Sequence, residues 1–380
     1  GQLPGVCGGP DPAECGGGGA PIARDLGHHT PHKTPGPPRA APPGARPPPP
    51  AGAEDPAATD GGRVVWDDFR DGFDHSGDGS RWTLTPAGDA LPDGDGTATT
   101  SEAGLRVVPT GVNPRTGEPA FTFTTGRESE GGGGAADHLK FFALARHTSK
   151  AGILGFDAEP GRVLTIDVTM SARTFGTEQH PFGAAVANPR TDLRLAAGAM
   201  NTADPETSMV FDFFVTNGWI YAFYERLPRP GADYAAFSYA LPVARRATVD
   251  QVNNLAVGYD RSAGTVEWKL DGRTVLSVDR IGFKPADREH LLLDLGGREE
   301  LVRPRQLAGG FGMFTLLDAE MPGAEGGLVR LSDDLRYYDP DRGAPAQQRF
   351  ADPAGLAGHR LWGQGARLDV RELGVTSVPR

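Results

Sequence analysis

The fold is decided by residues 208–226, which read SMVFDFFVTNGWIYAFYER. Two runs of aromatic and β-branched residues flank Asn217-Gly218, an arrangement typical of a β-hairpin. Asn and Gly tolerate positive φ angles, so we predict a two-residue type I′ turn at this dipeptide. The turn also fixes the register of the two strands. The predicted cross-strand pairs are Thr216 with Trp219, Phe214 with Tyr221, Asp212 with Phe223, and Val210 with Glu225.

Side chains alternate between the two faces of a strand, so this register assigns every residue of the hairpin to a face. We predict that the first face packs into the core. It carries Met209, Phe211, Phe213, Val215, Ile220, Ala222, Tyr224 and Arg226. The second face carries Val210, Asp212, Phe214, Thr216, Trp219, Tyr221, Phe223 and Glu225.

The second face mixes aromatic rings with two carboxylates, which is too polar for a core and too aromatic for an ordinary solvated surface. Asp212 and Glu225 occupy diagonal positions, roughly 7–8 Å apart between Cα atoms. Aromatic rings and carboxylates together suit a polyhydroxylated ligand, which offers apolar ring faces and hydroxyl donors. The alternative is that Trp219 and Tyr221 pack under a loop or helix while the acids pair with arginines.

The first 62 residues contain 15 of the 34 prolines and 14 of the 54 glycines. We predict that residues 1–62 form a disordered, Pro/Gly-rich tail, since this composition cannot bury a core. Residues 63–380 are apolar enough for a single large β-sandwich domain. Both cysteines, Cys7 and Cys15, belong to the tail, so we expect neither a disulfide nor a thiolate metal site in the domain.

The net charge of −11 argues against a nucleic-acid partner. No apolar run approaches the length of a membrane span, and no signal peptide is visible. Together with the cysteine-free domain this favours a cytoplasmic location. The chain begins at Gly1 rather than Met, so a removed signal stays an alternative, and the oligomeric state is left open.

Short runs with strand patterning recur along the rest of the chain, separated by Gly, Pro, Asn and Asp turns. The clearest is Leu164–Met170, in which apolar and polar residues alternate. Residues 254–278 predict a three-stranded meander with a turn at Asp271-Gly272. With no helix signal of comparable strength, the pattern predicts an all-β protein, an antiparallel two-sheet jelly-roll sandwich.

Three segments resemble the concanavalin-A-like jelly rolls, the fold of laminarinase-type glucanases and of laminin-G or legume lectin modules. They are Val65–Phe69 followed by Trp82, the meander with Tyr259-Asp260, Trp268 and Asp271-Gly272, and the closing strand Leu368–Arg371. Glucanases of this fold carry Glu-x-Asp-x-x-Glu on one strand, and this chain lacks it. The matching strand offers Asp212, with Phe214 and Asn217 where the other two acids would stand.

Three other segments resemble an actinobacterial family of unknown function. They are Gly111–Phe121, His180–Val186 and Ile220–Pro228. That resemblance implies no chemistry.

Further candidate ligand contacts lie in two polar stretches. Arg173, Gln179 and His180 belong to a loop dense in hydrogen-bonding side chains, and Arg194 precedes the hairpin. We expect no cofactor, with a structural calcium as an alternative. Its ligands would be Asp67 and Asp369, whose strands become neighbours if the two ends of the domain pair.

Three functions follow from these residues. The first is a binding module whose concave second face recognises a carbohydrate or another polar small molecule through Trp219 and Tyr221. The second is a glycoside hydrolase or lyase with Asp212 and Glu225 as paired acids. The third is an enzyme of specialised metabolism with an aromatic cleft. A bulky loop filling that cleft would argue against all three and favour a structural or interaction protein.

Overall fold

The computed structural model describes residues 62–333 and 348–380. The predicted tail lies outside the described residues except for Gly62, so the division at residue 63 stays a prediction. The regular secondary structure of the described residues is almost entirely β-strand, as expected. One α-helical turn covers Ala357–Arg360. Short 3₁₀ turns lie at Glu128–Glu130, Gly134–His138, Thr177–Gln179 and Gly183–Ala185.

The strands are numbered along the chain. They are β1 Arg63–Asp67, β2 Trp82–Leu84, β3 Thr97–Ser101, β4 Gly104–Val108, β5 Gly111–Val112, β6 Pro119–Ala120, β7 Leu139–Ala145, β8 Phe156–Asp157, β9 Arg162–Phe175, β10 Ala197–Ala203, β11 Met209–Val215, β12 Trp219–Arg226, β13 Phe237–Arg245, β14 Asn253–Asp260, β15 Thr265–Leu270, β16 Arg273–Val278, β17 Leu291–Asp294, β18 Gln306–Phe314, β19 Gly327–Val329, β20 Phe350–Asp352 and β21 Gly365–Pro379.

Two large antiparallel sheets are built from these strands. In the part of the chain that the structure describes, one sheet has eight strands in the order β16-β15-β14-β9-β21-β4-β3, with β1 added against β21. The other has nine strands in the order β17-β13-β12-β11-β10-β18-β7-β2, with β8 added against β18. This confirms the predicted antiparallel two-sheet jelly-roll sandwich and the pairing of the two ends of the domain.

The main hydrophobic core lies between the two sheets. The eight-stranded sheet contributes Ile166, Val168 and Trp268, and the β11–β12 hairpin of the nine-stranded sheet contributes Phe211 and Phe213, all fully buried. The hairpin face predicted to be core is therefore confirmed. The one charged residue on that face, Arg226, is also buried. Its guanidinium stacks on the Tyr234 ring at 3.6 Å and pairs with Glu300 at 3.0 Å, which compensates for its burial.

The hairpin has the predicted register but not the predicted turn. Asp212 pairs with Phe223, Phe214 with Tyr221 and Val210 with Glu225. Neither Asn217 nor Gly218 has a positive φ, so the type I′ prediction is wrong.

Contacts outside the hairpin hold this turn. The Asn217 amide oxygen accepts from the Thr174 N–H at 2.8 Å, and the Asn217 amide nitrogen donates to the Thr174 carbonyl at 3.0 Å. Gly218 is required for space, because a Cβ there would lie 2.7 Å from Cγ2 of Thr191. The meander turn does use positive φ, at Asp271 and Gly272.

We call the face of the nine-stranded sheet that points away from the core the distal face. Two segments of the same chain cover it: residues 182–195, before β10, and residues 315–331, after β18. We call these two segments the cover. Thr315 N–H donates to the His138 carbonyl at 2.9 Å, and Glu320 N–H donates to the Leu292 carbonyl at 2.8 Å. Since His138 precedes β7 and Leu292 lies in β17, the second segment crosses strands β10 to β13.

The cover adds apolar layers to the sandwich. The layer between the distal face and the cover comprises Leu193, Ala197, Ala199, Val210, Phe214, Tyr221, Phe223, Ala240, Leu292, Phe314, Leu316 and Ala319. A third cluster includes Phe182, Val186, Leu195, Leu317, Leu328, Val329 and Leu331. The face expected to be open and concave is therefore largely a buried interface, as the alternative interpretation of the hairpin allowed. No helix in the described ranges is long and apolar enough to cross a membrane.

Candidate functional site

The aromatic side chains predicted as a ligand platform lie at and beneath the cover. Tyr221 is 3% exposed, and its hydroxyl donates to the Thr191 carbonyl. Burial raises the pKa of this phenol. Trp219 is half-buried at the hairpin end, with its ring centroid 6.0 Å from that of Tyr221. Tyr221 is thus closed off by packing, as the alternative interpretation of this face expected.

Arg194 joins the two segments of the cover and is not open to a ligand. It is 1% exposed, and its guanidinium pairs with Asp192 at 2.8 Å. The remaining N–H groups donate to the carbonyls of Ala185, Ala319 and Gly326 at 2.9–3.4 Å. A buried guanidinium with this many acceptors stabilises the cover on the sheet.

Asp212 lies in the middle of the distal face and is 5% exposed. Its Oδ2 accepts from Nδ2 of Asn201 at 2.9 Å, and its Oδ1 accepts from the Thr202 N–H at 2.8 Å. Burial raises the pKa of this carboxyl well above its usual range. Because protein donors already engage both oxygens, Asp212 joins β11 to β10 and is badly placed to act as a nucleophile.

Glu225 lies further along the same face and is half-buried. It is directly opposite Ser238 on β13, whose hydroxyl donates to the carboxylate. Burial raises the pKa of Glu225 to about 7, the Ser238 hydrogen bond and the charge of His138 lower it, and the charge of Asp318 raises it. Neither Asp212 nor Glu225 pairs with an arginine in the described structure, contrary to the alternative interpretation.

The groups that share the neighbourhood of Glu225 come from the cover and from the residue before β7. Nε2 of His138 lies 2.8 Å from Oδ1 of Asp318, and their side chains are 12% and 9% exposed. Burial opposes a charged imidazole, but the Asp318 carboxylate outweighs that effect and raises the pKa of His138. His138 therefore holds a proton more readily than a free imidazole does.

These three side chains have the chemical properties of an acid–base centre. Burial raises the pKa of Glu225 to about 7, so this carboxyl can hold a proton near neutral pH, and Asp318 adds a second carboxyl group beside the imidazole of His138. A site that both donates and accepts a proton commonly uses two carboxyl groups in different environments. Two buried acceptors, Oδ1 of Asn201 and Oγ1 of Thr315, also lack a hydrogen-bond partner within the described ranges.

The structure does not bring the candidate loop residues to this centre. Arg173 lies on β9 of the other sheet, opposite Arg367, with its guanidinium 5.3 Å from the Phe175 ring. Its neighbour Ala172 packs in the core, so Arg173 faces outward. Gln179 is exposed in a 3₁₀ turn.

His180 lies beside the cover, stacked on Phe182 with ring centroids 6.1 Å apart. Its Nδ1 accepts from the Phe182 N–H at 3.1 Å, and burial lowers its pKa. His180 is therefore a neutral imidazole packed on an apolar cluster.

The two proposed calcium ligands also lie apart. β1 does pair with β21, but Asp67 is opposite Leu373, four residues along the strand from Asp369. Asp67 accepts from the Trp82 indole N–H at 2.7 Å, whereas Asp369 pairs with Arg106 at 2.7 Å and with Arg367 at 3.0 Å. These protein donors occupy the carboxylates.

A cation could instead meet oxygen and nitrogen donors at one exposed loop. Ligand atoms of Asp287, Glu289 and His290 lie within 4.8 Å of one another before β17. Nδ1 of His290 is already hydrogen-bonded to Asp287 at 2.5 Å.

A surface pocket of about 430 Å³ lies at the cover, and its lining includes no residue of the acid–base centre. Its lining includes Ala184, Ala185, Gly323–Gly327 and Phe350. Its polar side chains are those of Glu325 and Arg349, both exposed.

Sequence reasoning identified Glu225 but missed two of its partners. His138 is one of several scattered histidines, and Asp318 follows a strand without any motif. The available signal was weak: a lone acid in the apolar run Phe314–Ala319, which must be paired or protonated if that run is buried.

Comparison with known proteins places the chain in a family. A family of unknown function, DUF6081, matches residues 66–379. An uncharacterized protein, L829, of Acanthamoeba polyphaga mimivirus is 31% identical over 281 residues, covering 50% of this chain and 65% of the relative. The chain thus spans less than two thirds of that relative. These findings do not confirm the expected actinobacterial character of the family.

Solved structures with a similar backbone trace include two glucanases. The endo-1,3-β-glucanase of Streptomyces sioyaensis is 11% identical, with a TM-score of 0.37 over 87% of this chain and 99% of that chain. The β-glucanase of Bacillus licheniformis is 8% identical, with a TM-score of 0.36 over 84% of this chain and 98% of that chain.

Proposed function

This chain belongs to the DUF6081 family, whose function is unknown, and we propose that it cleaves a glycosidic bond in a saccharide, with Glu225 as the proton donor. The observation that carries the proposal is the meeting of Glu225 with the His138–Asp318 pair on the distal face. The three side chains come from β12, from the residue before β7 and from the cover, so the fold alone brings them together.

Glu225 has the environment of a general acid. Its half-buried carboxyl holds its proton near neutral pH, and a proton donor works best when its pKa lies near the working pH. The Ser238 hydroxyl fixes the orientation of the carboxyl through a hydrogen bond.

Asp318 supplies the second carboxyl group. Its Oδ1 lies 2.8 Å from Nε2 of His138 and lacks a well-oriented hydrogen bond within the described structure. A carboxylate with a free lone pair can accept the proton of an attacking water. We therefore assign the role of general base to Asp318 and regard His138 as its positioning residue.

The reaction then balances without a cofactor. Water attacks the anomeric carbon and gives one proton to Asp318, the bond from that carbon to the bridging oxygen breaks, and Glu225 protonates the departing oxygen. A pair of carboxyl groups is the usual equipment for this chemistry. The pair differs from the predicted Asp212 and Glu225, since protein donors engage Asp212.

The experiment is a panel of neutral and acidic polysaccharides, with the release of reducing ends measured for the full chain. Wild-type protein should cleave at least one member, and Glu225→Gln should lower the rate at least about a hundredfold, the range for loss of a general acid. Glu102→Gln is the matched control, since Glu102 is exposed in the β3–β4 turn. No cleavage of any polysaccharide, or equal cleavage by both variants, would contradict the proposal.

One observation favours a second candidate, a structural or interaction protein. The cover fills the middle of the distal face with a continuous apolar layer, which leaves less open surface than a binding cleft needs. If the panel shows neither cleavage nor saccharide binding by wild-type protein, this second candidate is the better account of the fold.

A further inference from the structure

We propose that the tip of the β11–β12 hairpin is a second binding site, which takes a carboxylate carried on a sugar ring, that is, a uronate. The site consists of Trp219, Arg245 and Arg190. It lies six residues along β12 from Glu225, roughly 20 Å at the spacing of a β-strand, so it does not depend on the acid–base chemistry proposed above.

Trp219 and Arg245 project from the same side of the sheet. They are directly paired across β12 and β13, and directly paired residues share a face. Trp219 is half-buried, whereas Arg245 is exposed at the end of β13. At this end of the distal face an indole ring therefore stays partly open to solvent beside a cation.

Arg190 belongs to the cover and is held against the same turn. Its backbone carbonyl accepts from the Gly218 N–H at 2.9 Å, while its side chain is exposed. Burial lowers the pKa of Arg246, the charge of Asp250 raises it, and the charge of Arg190 lowers it further, so Arg190 and Arg246 act on one another electrostatically.

Arg246 lies under the turn and adds a third positive charge, on which the carboxylate of Asp250 also acts. It is 7% exposed, and its guanidinium donates to the carbonyls of Ala172 and Thr216 at 2.7 and 2.8 Å. Two further carbonyls, of Val249 and Gln251, accept from its other terminal nitrogen. Its Nε is buried without a partner. Carbonyl dipoles satisfy the geometry of this cation but do not cancel its charge.

The two exposed arginines also form no ion pair in the part of the chain that the structure describes. Neither the Arg190 nor the Arg245 side chain has an ion pair or a hydrogen bond to any residue that the structure describes, although many other arginines of the chain do. Three cations thus lie around one turn of a protein whose net charge is −11.

This combination matches a uronate better than a neutral sugar or a bare anion. Guanidinium groups bind carboxylates with two parallel hydrogen bonds, and an indole packs on the apolar face of a sugar ring. A bare anion would not use Trp219, and a neutral sugar would not use the charge of the arginines.

The test is calorimetric titration of the full chain with a galacturonic acid trisaccharide and with a neutral galactose trisaccharide. We expect the acidic ligand to bind at least about ten times more tightly, and Arg190→Ala and Arg245→Ala each to weaken its binding about tenfold. Trp219→Leu should weaken binding of both ligands. Arg273→Ala, at an exposed position on the edge strand β16 of the other sheet, is the matched control and should change nothing.

Several results would overturn the inference. These are equal affinity for the two trisaccharides, no binding of the acidic one, an equal loss in Arg273→Ala, or full competition by inorganic phosphate at the same concentration, which would show an adventitious anion site only. Glu225→Gln should bind the acidic trisaccharide normally. Failure of cleavage in the polysaccharide panel with intact uronate binding would therefore refute only the proposed function.

Discussion

Removing the carboxyl group of Glu225 should stabilise the folded protein, and only above acidic pH. Glu225→Gln keeps the size of the side chain and an oxygen that can accept the Ser238 hydrogen bond, but it cannot ionise. In the wild-type protein, folding raises the pKa of this carboxyl from 4.5 to about 7 because burial disfavours the charged form. The folded state therefore retains a proton that the unfolded state has already lost.

The sign and size of the effect follow from this linkage. Below pH 4.5 Glu225 is protonated in both the folded and the unfolded state, so it does not lower the free energy of unfolding. As the pH rises from 4.5 to 7, Glu225 loses its proton in the unfolded state but keeps it in the folded state, and the free energy of unfolding falls. The loss reaches about 3 kcal/mol, since each pKa unit is worth about 1.4 kcal/mol. The variant avoids this loss, so it should exceed the wild type by up to about 3 kcal/mol at pH 8. For a domain of about 300 residues this corresponds to roughly 5 °C in Tm.

Scanning calorimetry of both proteins at half-unit intervals from pH 4 to pH 8.5 measures the difference. We expect the two Tm values to coincide at pH 4 and to diverge through pH 5–7. Glu102→Gln, whose side chain is exposed, should follow the wild type throughout. A difference that is constant with pH, or a variant less stable than the wild type at pH 8, would refute the assignment of a raised pKa to Glu225. Replacing a functional residue often stabilises a protein, because active sites hold groups whose environment is unfavourable for folding.

Two further predictions concern the supports of the fold. Gly218→Ala should lower the free energy of unfolding by about 1–3 kcal/mol, because the new Cβ would lie 2.7 Å from Thr191. Gly79→Ala is the control and should cost much less, since no atom lies within 4 Å of its Cβ position. Urea denaturation measures both losses, and equal losses would contradict the packing argument for this turn. Lys140→Met should cost about 3–5 kcal/mol, since Nζ of Lys140 is fully buried between Asp137 at 3.4 Å and the Phe123 carbonyl at 2.7 Å. The exposed Lys269→Met is its control in the same urea experiment, and a Lys140→Met loss no larger than the control would contradict the buried ion pair.

The hairpin could be predicted because its information is local. Alternation of side chains and a two-residue connection fix both the register and the core-facing side, and the structure has both. The conformation of the turn could not be predicted, since Asn217 is held by Thr174, more than forty residues away. Local sequence preferences describe what a turn adopts when nothing else binds it.

The cover shows a different limit. The sequence predicts that the face with Val210, Phe214, Tyr221 and Phe223 is too polar for a core and too aromatic for a solvated surface, but such a face can bind a ligand or a segment of its own chain equally well. Here Leu193, Leu316 and Ala319 occupy it. The sequence around Leu316 resembles the end of a strand, and nothing local indicates that the next residues cross four other strands.

The acid–base centre exists only because the cover crosses the sheet and brings Asp318 to His138. Glu225 stood out because a carboxylate among aromatic residues needs an explanation, and this is a local signal. Asp318 reaches His138 only because the cover runs over the sheet, so the pair 2.8 Å apart joins residues 180 positions apart in sequence. The spacing of these residues along the chain does not predict such a contact.

The measurement that tests the central claim most directly is the rate of saccharide cleavage from pH 5 to pH 9 for the wild-type protein. If Glu225 donates the proton, the rate should be high at pH 5–6 and should fall about tenfold for each pH unit above about 7, as the carboxyl loses that proton. A rate that stays level or rises between pH 7 and pH 9, or the absence of cleavage at every pH, would contradict the role assigned to Glu225.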